Sequence, residues 1–179
     1  MLCAAPGCSV LVGNVKPVEE RDTTYQVLRL STEVPAEWKL LDRTQGRTPD
    51  ESDLAFQSRK TGAIISLNSV CRSSYLPKGG IDSLRQFSRQ LLLGSFDQVL
   101  TQAEMPRQVD GIEALETRMT GTVPEGKGEK AQIRVVVVKK DRCVYDLMLL
   151  GRPETIARSE ADFDRFVGSL RFEGSTRTN

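Results

Sequence analysis

Residues 131–150 read AQIRVVVVKKDRCVYDLMLL and contain the two longest apolar runs of the chain, at 135–138 and 143–150. Both runs have the length and composition of strands, and the polar triplet KDR at 140–142 predicts a turn between them. Residues 135–138 would be apolar on both faces of a pleated sheet, which predicts a central strand covered from both sides. Neither run approaches the roughly 20 apolar residues that a membrane-spanning helix needs.

Further strands are predicted upstream of this pair. Strands at 97–105 and 111–123 come first, and the sequence PEGKG at 124–128 forms a turn that makes the last three strands an antiparallel meander. Residues 53–58 and 63–70 flank RKTG at 59–62, which predicts a hairpin turn where Gly62 adopts a positive φ. A first strand is expected at 25–30, before Pro35 ends it or marks a sheet edge.

Two helices complete this pattern. The first is expected from about Asp82 to Leu93, ended by Gly94, with one apolar face made of Leu84, Phe87, Leu91 and Leu92. The second should follow Ser159 and Asp162, which have the spacing of a capping box, and its apolar stripe is Phe163, Phe166, Val167 and Leu170. The fold class is therefore α+β, a mostly antiparallel sheet of about six or seven strands with helices packed on its faces.

The composition excludes several function classes. The 25 basic and 24 acidic side chains give a formal net charge of +1, and they are interspersed, so nucleic-acid binding is not expected. There is no histidine, which removes Ser-His-Asp and Cys-His relays as well as histidine zinc sites. The four cysteines include no CxxC pair. We therefore predict no enzyme activity, no cofactor and no metal site.

The N-terminus predicts a lipid anchor. Small residues precede Gly7-Cys8, as at the end of a bacterial lipoprotein signal peptide, although only a fragment of such a signal is present. The hypothesis makes residues 1–8 the remnant of a signal, Cys8 the lipid attachment site, 9–23 a flexible tether, 24–172 one domain and 173–179 a disordered tail. A start upstream of Met1, a trimmed leader, and a cytosolic chain with an accidental Gly-Cys all stay open.

Two further cysteines lie at predicted strand ends. Cys71 closes the strand at 63–70 and Cys143 opens the strand at 143–150, so in an exported domain they would form a disulfide. In the cytosol they would instead be two buried free thiols. The disulfide and the exported location therefore depend on each other.

Other candidate residues have a simpler structural interpretation beside the functional one. Trp38, the only tryptophan, is expected to pack over a sheet edge rather than stack on a ligand. Asp146 is expected to point outward on the pleat, and the alternative is a buried acid near an Arg or Lys. Residues 77–80, PKGG, predict a mobile linker rather than an anion site. The polar residues around Cys71 form either a small pocket or a solvated strand end; they are Ser66, Asn68, Ser69, Arg72, Ser73 and Ser74.

The order of elements resembles the PsbP-like fold. The residues that carry the resemblance are Tyr25, VPAEW at 34–38, GAIIS at 62–66 and DFDRFVGSL at 162–170. Photosystem extrinsic proteins and a small Ran-binding nuclear-import factor share this fold, and bacterial members include envelope lipoproteins. The resemblance implies a binding or assembly factor rather than an enzyme, without the histidine metal ligands of the photosynthetic members.

These observations predict a non-catalytic, lipid-anchored protein of the bacterial cell envelope that faces the periplasm. Its membrane contact would be the lipid alone, and it would bind a partner protein or a small apolar ligand between helix and sheet. The alternative is a cytosolic protein-binding adaptor of the same fold.

Overall fold

A computed structural model describes residues 25–41, 53–71, 79–124 and 128–172. The predicted signal remnant, tether and tail, including Cys8, lie outside the described residues. The elements in chain order are β1 (Tyr25–Gln26), α1 (Leu30–Glu33), β2 (Trp38–Leu40), β3 (Leu54–Ser58), β4 (Ile64–Cys71), α2 (Ile81–Leu91), β5 (Gln98–Val109), β6 (Ile112–Thr122), β7 (Lys130–Lys140), β8 (Cys143–Gly151), α3 (Pro153–Ile156), α4 (Glu160–Ser169) and β9 (Arg171–Phe172). No helix among these residues is long and apolar enough to span a membrane.

Seven of the strands form one antiparallel sheet in the order β2-β3-β4-β8-β7-β6-β5. The strands β8 and β7 lie near its centre, as the apolar runs predicted, and the predicted α+β class is confirmed. The strands β1 and β9 pair separately, so the two ends of the described domain meet, with Tyr25 opposite Phe172.

Each face of the sheet has its own core. On one face, called the α4 face, Val136 and Val138 pack with helix α4 through its apolar stripe of Phe163, Phe166, Val167 and Leu170. On the other, called the α2 face, Val135 and Val137 pack with Leu84 and Leu92 of the α2 region. Successive valines of β7 therefore supply both cores, which is why this strand is apolar on both sides.

The N-terminal strand prediction was wrong beyond its first two residues. Only Tyr25–Gln26 is extended, and Leu30, fully buried, begins the one-turn helix α1. The alternation at 25–30 was too mixed to separate a strand from a turn. The second short helix, α3, was also missed, although Pro153 occupies a first-turn position that suits proline.

The predicted strand at 97–105 is longer than expected. It continues through Pro106 to Val109 and turns at Asp110-Gly111, where both residues have positive φ angles of 51° and 76°. A proline is tolerated here because β5 is an edge strand, and one side of an edge strand needs no backbone donor.

The predicted capping box does not form. Ser159 does occupy the N-cap of α4, but its backbone is helical and its side chain makes no capping hydrogen bond. Asp162 instead accepts a hydrogen bond from Trp38 Nε1 at 2.8 Å. Trp38 is 1% exposed and packs into the core of the α4 face from β2, a strand at the edge of the sheet, which agrees with the expected packing over a sheet edge.

Candidate functional site in a groove between helix α2 and edge strand β5

A groove of about 610 Å³ lies between the end of α2 and β5. Its floor contains Gln102 and Ala103 of β5 and Met119 of β6. One wall is the end of α2 and its continuation, and the far end is Phe96 and Val99. The groove exists because α2 packs over β6 and β7, and no described element covers the outermost strand.

The groove has apolar side chains both at depth and along part of its rim. Leu92 and Met119 are 4% and 7% exposed, whereas Leu93 is 72% and Val99 48% exposed. An isolated exposed leucine needs no explanation, but exposed apolar side chains around a concavity are typical of binding surfaces. The arrangement can bind an apolar group.

A glycine shapes the far end of the groove. A Cβ atom on Gly121 would lie 2.6 Å from Phe96 Cγ and 2.4 Å from the carbonyl oxygen of Gln98. The ring of Phe96 therefore rests directly on the backbone of β6, and only glycine at 121 allows this position. The end wall is fixed by backbone contact rather than by a mobile side chain.

A charged clamp links α2 to β5 beside the groove. Glu104 accepts from Arg85 Nε at 2.7 Å and from Arg89 Nε at 3.2 Å. The hydrogen bond with Glu104 raises the pKa of Arg85 above its ordinary value. Arg89 and Leu93 also line a second hollow of about 460 Å³ on the outer side of α2, so they form a ridge between two depressions.

Asp146, expected to point outward, is buried in the sheet. It is 3% exposed, and its Oδ2 accepts from Asn68 Nδ2 at 2.9 Å, so the outward interpretation is wrong. Burial, countered in part by the Asn68 hydrogen bond and reinforced by nearby Asp53, raises the pKa of Asp146 to about 7. The second amide atom, Asn68 Oδ1, is buried and has no hydrogen-bond partner among the described residues. The Arg or Lys that the buried alternative required does not bond this carboxyl among them.

The polar residues around Cys71 are divided by the structure. Asn68 and Ser69 are buried, and Ser69 Oγ donates to Asp53, which also accepts from Tyr25 Oη at 3.0 Å. A solvated strand end is therefore wrong for these two residues. Residues 72–74 of the same patch lie outside the described residues, as do residues 77 and 78 of the predicted linker.

A buried ion-pair cluster on the α4 face had no counterpart in the sequence predictions. Glu116 accepts from Arg107 at 2.6 Å, from Arg118 at 2.8 Å and from Arg134 Nε at 3.0 Å. Arg134 is 1% exposed, lies over the ring of Phe163 and bonds Asp164 of α4 at 3.0 Å. These contacts hold the pKa of Glu116 below its ordinary value despite its burial. The arginines are bonded to carboxylates of the fold, so the cluster attaches α4 to the sheet.

The two strand-end cysteines lie opposite each other in the register of β4 and β8, with Cα atoms 4.1 Å apart, and are joined by a disulfide bond. Within the described ranges no three histidine, cysteine, aspartate or glutamate side chains are grouped so as to hold a metal ion. The site that the described residues offer is thus the groove.

The fold is similar to those of solved proteins of low sequence identity. Cyanobacterial PsbP from Synechocystis has a TM-score of 0.53 and 14% identity over 96% of this chain and 97% of that one. LpqN, involved in cell envelope biogenesis of Mycobacterium tuberculosis, has a TM-score of 0.51 and 13% identity over 84% of each chain. A structure from Bacteroides thetaiotaomicron reaches 0.51 at 7% identity over 78% of this chain, which spans only 43% of that protein. No family model and no curated protein matches the sequence.

The domain therefore has a PsbP-like fold, as the order of its elements predicted. At these identities the likeness shows the fold alone, and function has to be argued from the site.

Proposed function

We propose that this protein is a non-catalytic binding or assembly factor of the bacterial cell envelope, anchored by a lipid on Cys8. Its binding site is the groove between α2 and β5, and its ligand is a partner protein. The observation that carries the proposal is the exposed apolar rim of this groove, where Leu93 is 72% and Val99 48% exposed.

A partner protein suits this surface better than a small apolar ligand. Small-molecule sites generally enclose 70–90% of their ligand. Here the side chain of Leu93 stands on a ridge between two open hollows, and the groove is bounded on one side only by the edge of the sheet. A partner protein can contact a projecting side chain together with the hollows on both sides of it. Protein interfaces also combine an apolar centre with a polar rim, and here Arg89 and Glu104 lie beside the apolar side chains.

Three observations support an envelope location. Gly7-Cys8 matches the end of a lipoprotein signal peptide in its Gly and Cys. A disulfide between Cys71 and Cys143 would persist in an oxidising compartment and would use both cysteines that remain after Cys3 is removed and Cys8 is lipidated. The similar fold of LpqN belongs to a protein of cell envelope biogenesis.

The absence of catalysis is proposed from the residue types that the chain contains. The 179-residue chain has no histidine, and no nucleophile in it has an adjacent base in a recognisable motif. A saturable turnover that one Asp or Lys substitution abolishes would contradict this part of the proposal.

The groove is tested by two leucine variants. Fragments of the host proteome displayed on phage are selected on the full chain, and the dissociation constants of the selected fragments are then measured. Leu93→Ser should weaken their binding about tenfold or more, because about 1.4 kcal/mol of apolar contact corresponds to that factor. Leu40→Ser is the matched control, since Leu40 is 49% exposed on β2 at the opposite edge of the sheet. Equal binding by both variants would contradict the proposed site.

The same pair of variants separates the two ligand classes. A fluorescent apolar dye that binds the wild type and loses binding in Leu93→Ser, with no protein fragment selected, would favour the small-ligand function instead. The lipid anchor is tested by fatty-acid labelling of the protein with its native leader, where Cys8→Ser should lose the label and Cys3→Ser should keep it. Equal labelling of the wild type, Cys8→Ser and Cys3→Ser, or labelling of none of them, would contradict the anchor.

A further inference from the structure

The turn at the end of β5 fixes which of its backbone groups are free. Val109 and Ile112 enclose a two-residue turn at Asp110-Gly111, so they form a hydrogen-bonded pair of the antiparallel ladder. Pairs alternate along the ladder from there. Odd-numbered residues back to Thr101 therefore bond β6, and the N–H and C=O groups of the even-numbered residues point away from the sheet.

Pro106 agrees with this assignment. It stands opposite Leu115 at a position that does not bond β6, where its missing N–H costs the ladder nothing. The free edge is interrupted at Pro106 and again at Leu100, where the register shifts by one residue between Val99 and Thr101. Between the two interruptions, Gln102 and Glu104 present two N–H and two C=O groups in extended spacing that no described strand pairs with.

We propose that this window of β5, residues 101–105, binds an extended strand of the partner protein by strand addition. The inference rests on the proposed function and names the form of the ligand: a β-strand that continues the seven-stranded sheet beside the groove. Extended segments add to such edges through main-chain hydrogen bonds, while alternate side chains give specificity.

The surroundings define the side chains of that strand. Gln102 and Glu104 point to the α2 face, since their ladder partners Met119 and Thr117 do, and Thr117 bonds Ser88 of α2. The partner residue opposite Gln102 would therefore lie at the groove and be apolar. The residue two positions away, opposite Glu104, would lie near Arg89, whose side chain is 63% exposed. An acidic side chain there would complement this arginine.

A second copy of the chain fits the same window less well. Pairing two β5 strands about a twofold axis would place both α2 helices on one face of the joined sheet. Each copy would bring the same charged group to the seam, in which Arg85 and Arg89 share Glu104, and would offer it no complementary charge. A partner with an acidic residue at this position would complement the exposed Arg89, so the asymmetric partner is favoured.

The test introduces a second proline on the same edge, at Gln102, where it removes an outward N–H as Pro106 does. Heptapeptides displayed on phage are selected on the full chain, and the selected peptides are synthesised. Gln102→Pro removes one outward N–H inside the window and leaves the β6 ladder intact, whereas Gln108→Pro removes an equivalent outward N–H beyond Pro106 and outside the window. Gln102→Pro should weaken peptide binding about tenfold, because it leaves a peptide carbonyl unpaired, and Gln108→Pro should change it less than about threefold.

Two measurements on the unchanged protein test strand addition independently of any misfolding of the proline variant. Methylation of the peptide nitrogens that would face β5 should reduce affinity for the unchanged protein by a similar factor. Amide hydrogen exchange should be fast at Gln102 and Glu104 in the free protein and slow in the complex, while Thr101 and Ala103 stay slow in both. Normal binding of N-methylated peptides, or protection confined to α2, would overturn the inference.

The remaining outcomes separate this inference from the proposed function. Binding that Leu93→Ser abolishes and Gln102→Pro leaves unchanged would keep the groove and refute strand addition. Binding that neither variant changes would refute both. Concentration-dependent dimers in sedimentation that Gln102→Pro dissociates, without selected peptides, would assign the edge to a second copy and overturn the asymmetric partner.

Discussion

Replacement of Asp146 by asparagine should make the protein more stable at and above neutral pH. The carboxyl is 3% exposed, its hydrogen-bond donor is the neutral amide of Asn68, and nearby Asp53 carries the same charge. An asparagine at 146 has nearly the shape of a protonated aspartate. It could accept from Asn68 Nδ2 and also donate to Asn68 Oδ1, which has no partner in the described part of the chain. The variant would therefore replace a buried charge by a neutral side chain that makes two hydrogen bonds with Asn68.

The pKa of Asp146 gives the size of the effect. It rises from an ordinary 3.8 to about 7 in the folded protein, a difference of roughly three pH units. Each unit corresponds to about 1.4 kcal/mol, so ionised Asp146 reduces the free energy of unfolding by about 4 kcal/mol. That is a large fraction of the 5–15 kcal/mol typical of a domain.

The change of stability with pH has the opposite sign to that of a salt-bridged aspartate, which stabilises the fold as the pH rises. Between about pH 4 and pH 7 the unfolded chain releases the Asp146 proton while the folded chain retains it. Stability is therefore lost as the pH rises through this window, by about 1.4 kcal/mol per pH unit, and the loss is complete above pH 7. Below pH 4 both states hold the proton, and wild type and variant should have nearly equal stability.

Urea denaturation at pH 5, 6, 7 and 8 measures this dependence. The free-energy difference between Asp146→Asn and wild type should grow across the series to about 4 kcal/mol. Taking the difference between the two proteins cancels the contributions of the other carboxylates to the pH dependence. Glu116 is one of these, and because its pKa is lowered, its contribution to stability is lost only in acid. Asp82→Asn is the control, because its side chain is 90% exposed. A difference that does not vary with pH, or destabilisation at pH 8, would refute the reasoning.

Three further predictions concern the α4 face and the disulfide. Phe166→Ala should cost about 3–5 kcal/mol, because the ring is fully buried against the sheet, whereas Arg165→Ala on the exposed side of α4 should change the melting temperature little. Glu116→Gln should cost about 3 kcal/mol in urea denaturation at pH 7, since it leaves three arginines without their shared carboxylate; a near-zero effect would mean that solvent already screens them. Replacing both Cys71 and Cys143 by alanine should cost about 4 kcal/mol in the chain-entropy model, and wild type from the periplasm should resist alkylation until reduced; free thiols there would contradict the bond.

Much of the fold could be predicted from local pattern. The strand pair around residues 140–142 was evident because its two apolar runs are separated by a short polar turn, and the structure places Lys140 opposite Cys143 across it. The helix α2 was evident from its apolar spacing and from Gly94. Elements with little periodicity were not predicted. Helices α1 and α3 are single turns, and the conformation of such short segments depends on what they pack against.

The groove could not be predicted because it belongs to no single segment. Its lining comes from α2, β5 and β6, and its position depends on which strand ends the sheet. Gly121 carried the only local signal, a glycine inside a strand, which often marks the close approach of another group. The pattern gave no indication that this group is Phe96.

The charged residues within the strands were misjudged for one physical reason. Asp146 was expected to face solvent, and Glu116 and Arg134 were not singled out, yet all three are nearly fully buried. Alternation reports which side of the sheet a residue occupies, but in a sheet covered on both faces neither side is solvent. The informative question for such a strand is which partner a buried charge meets. Glu116 and Arg134 meet each other, so their burial is compensated and holds α4 in place. Asp146 meets a neutral amide and a second acid nearby, so its burial makes the stability of the domain depend on pH near neutrality.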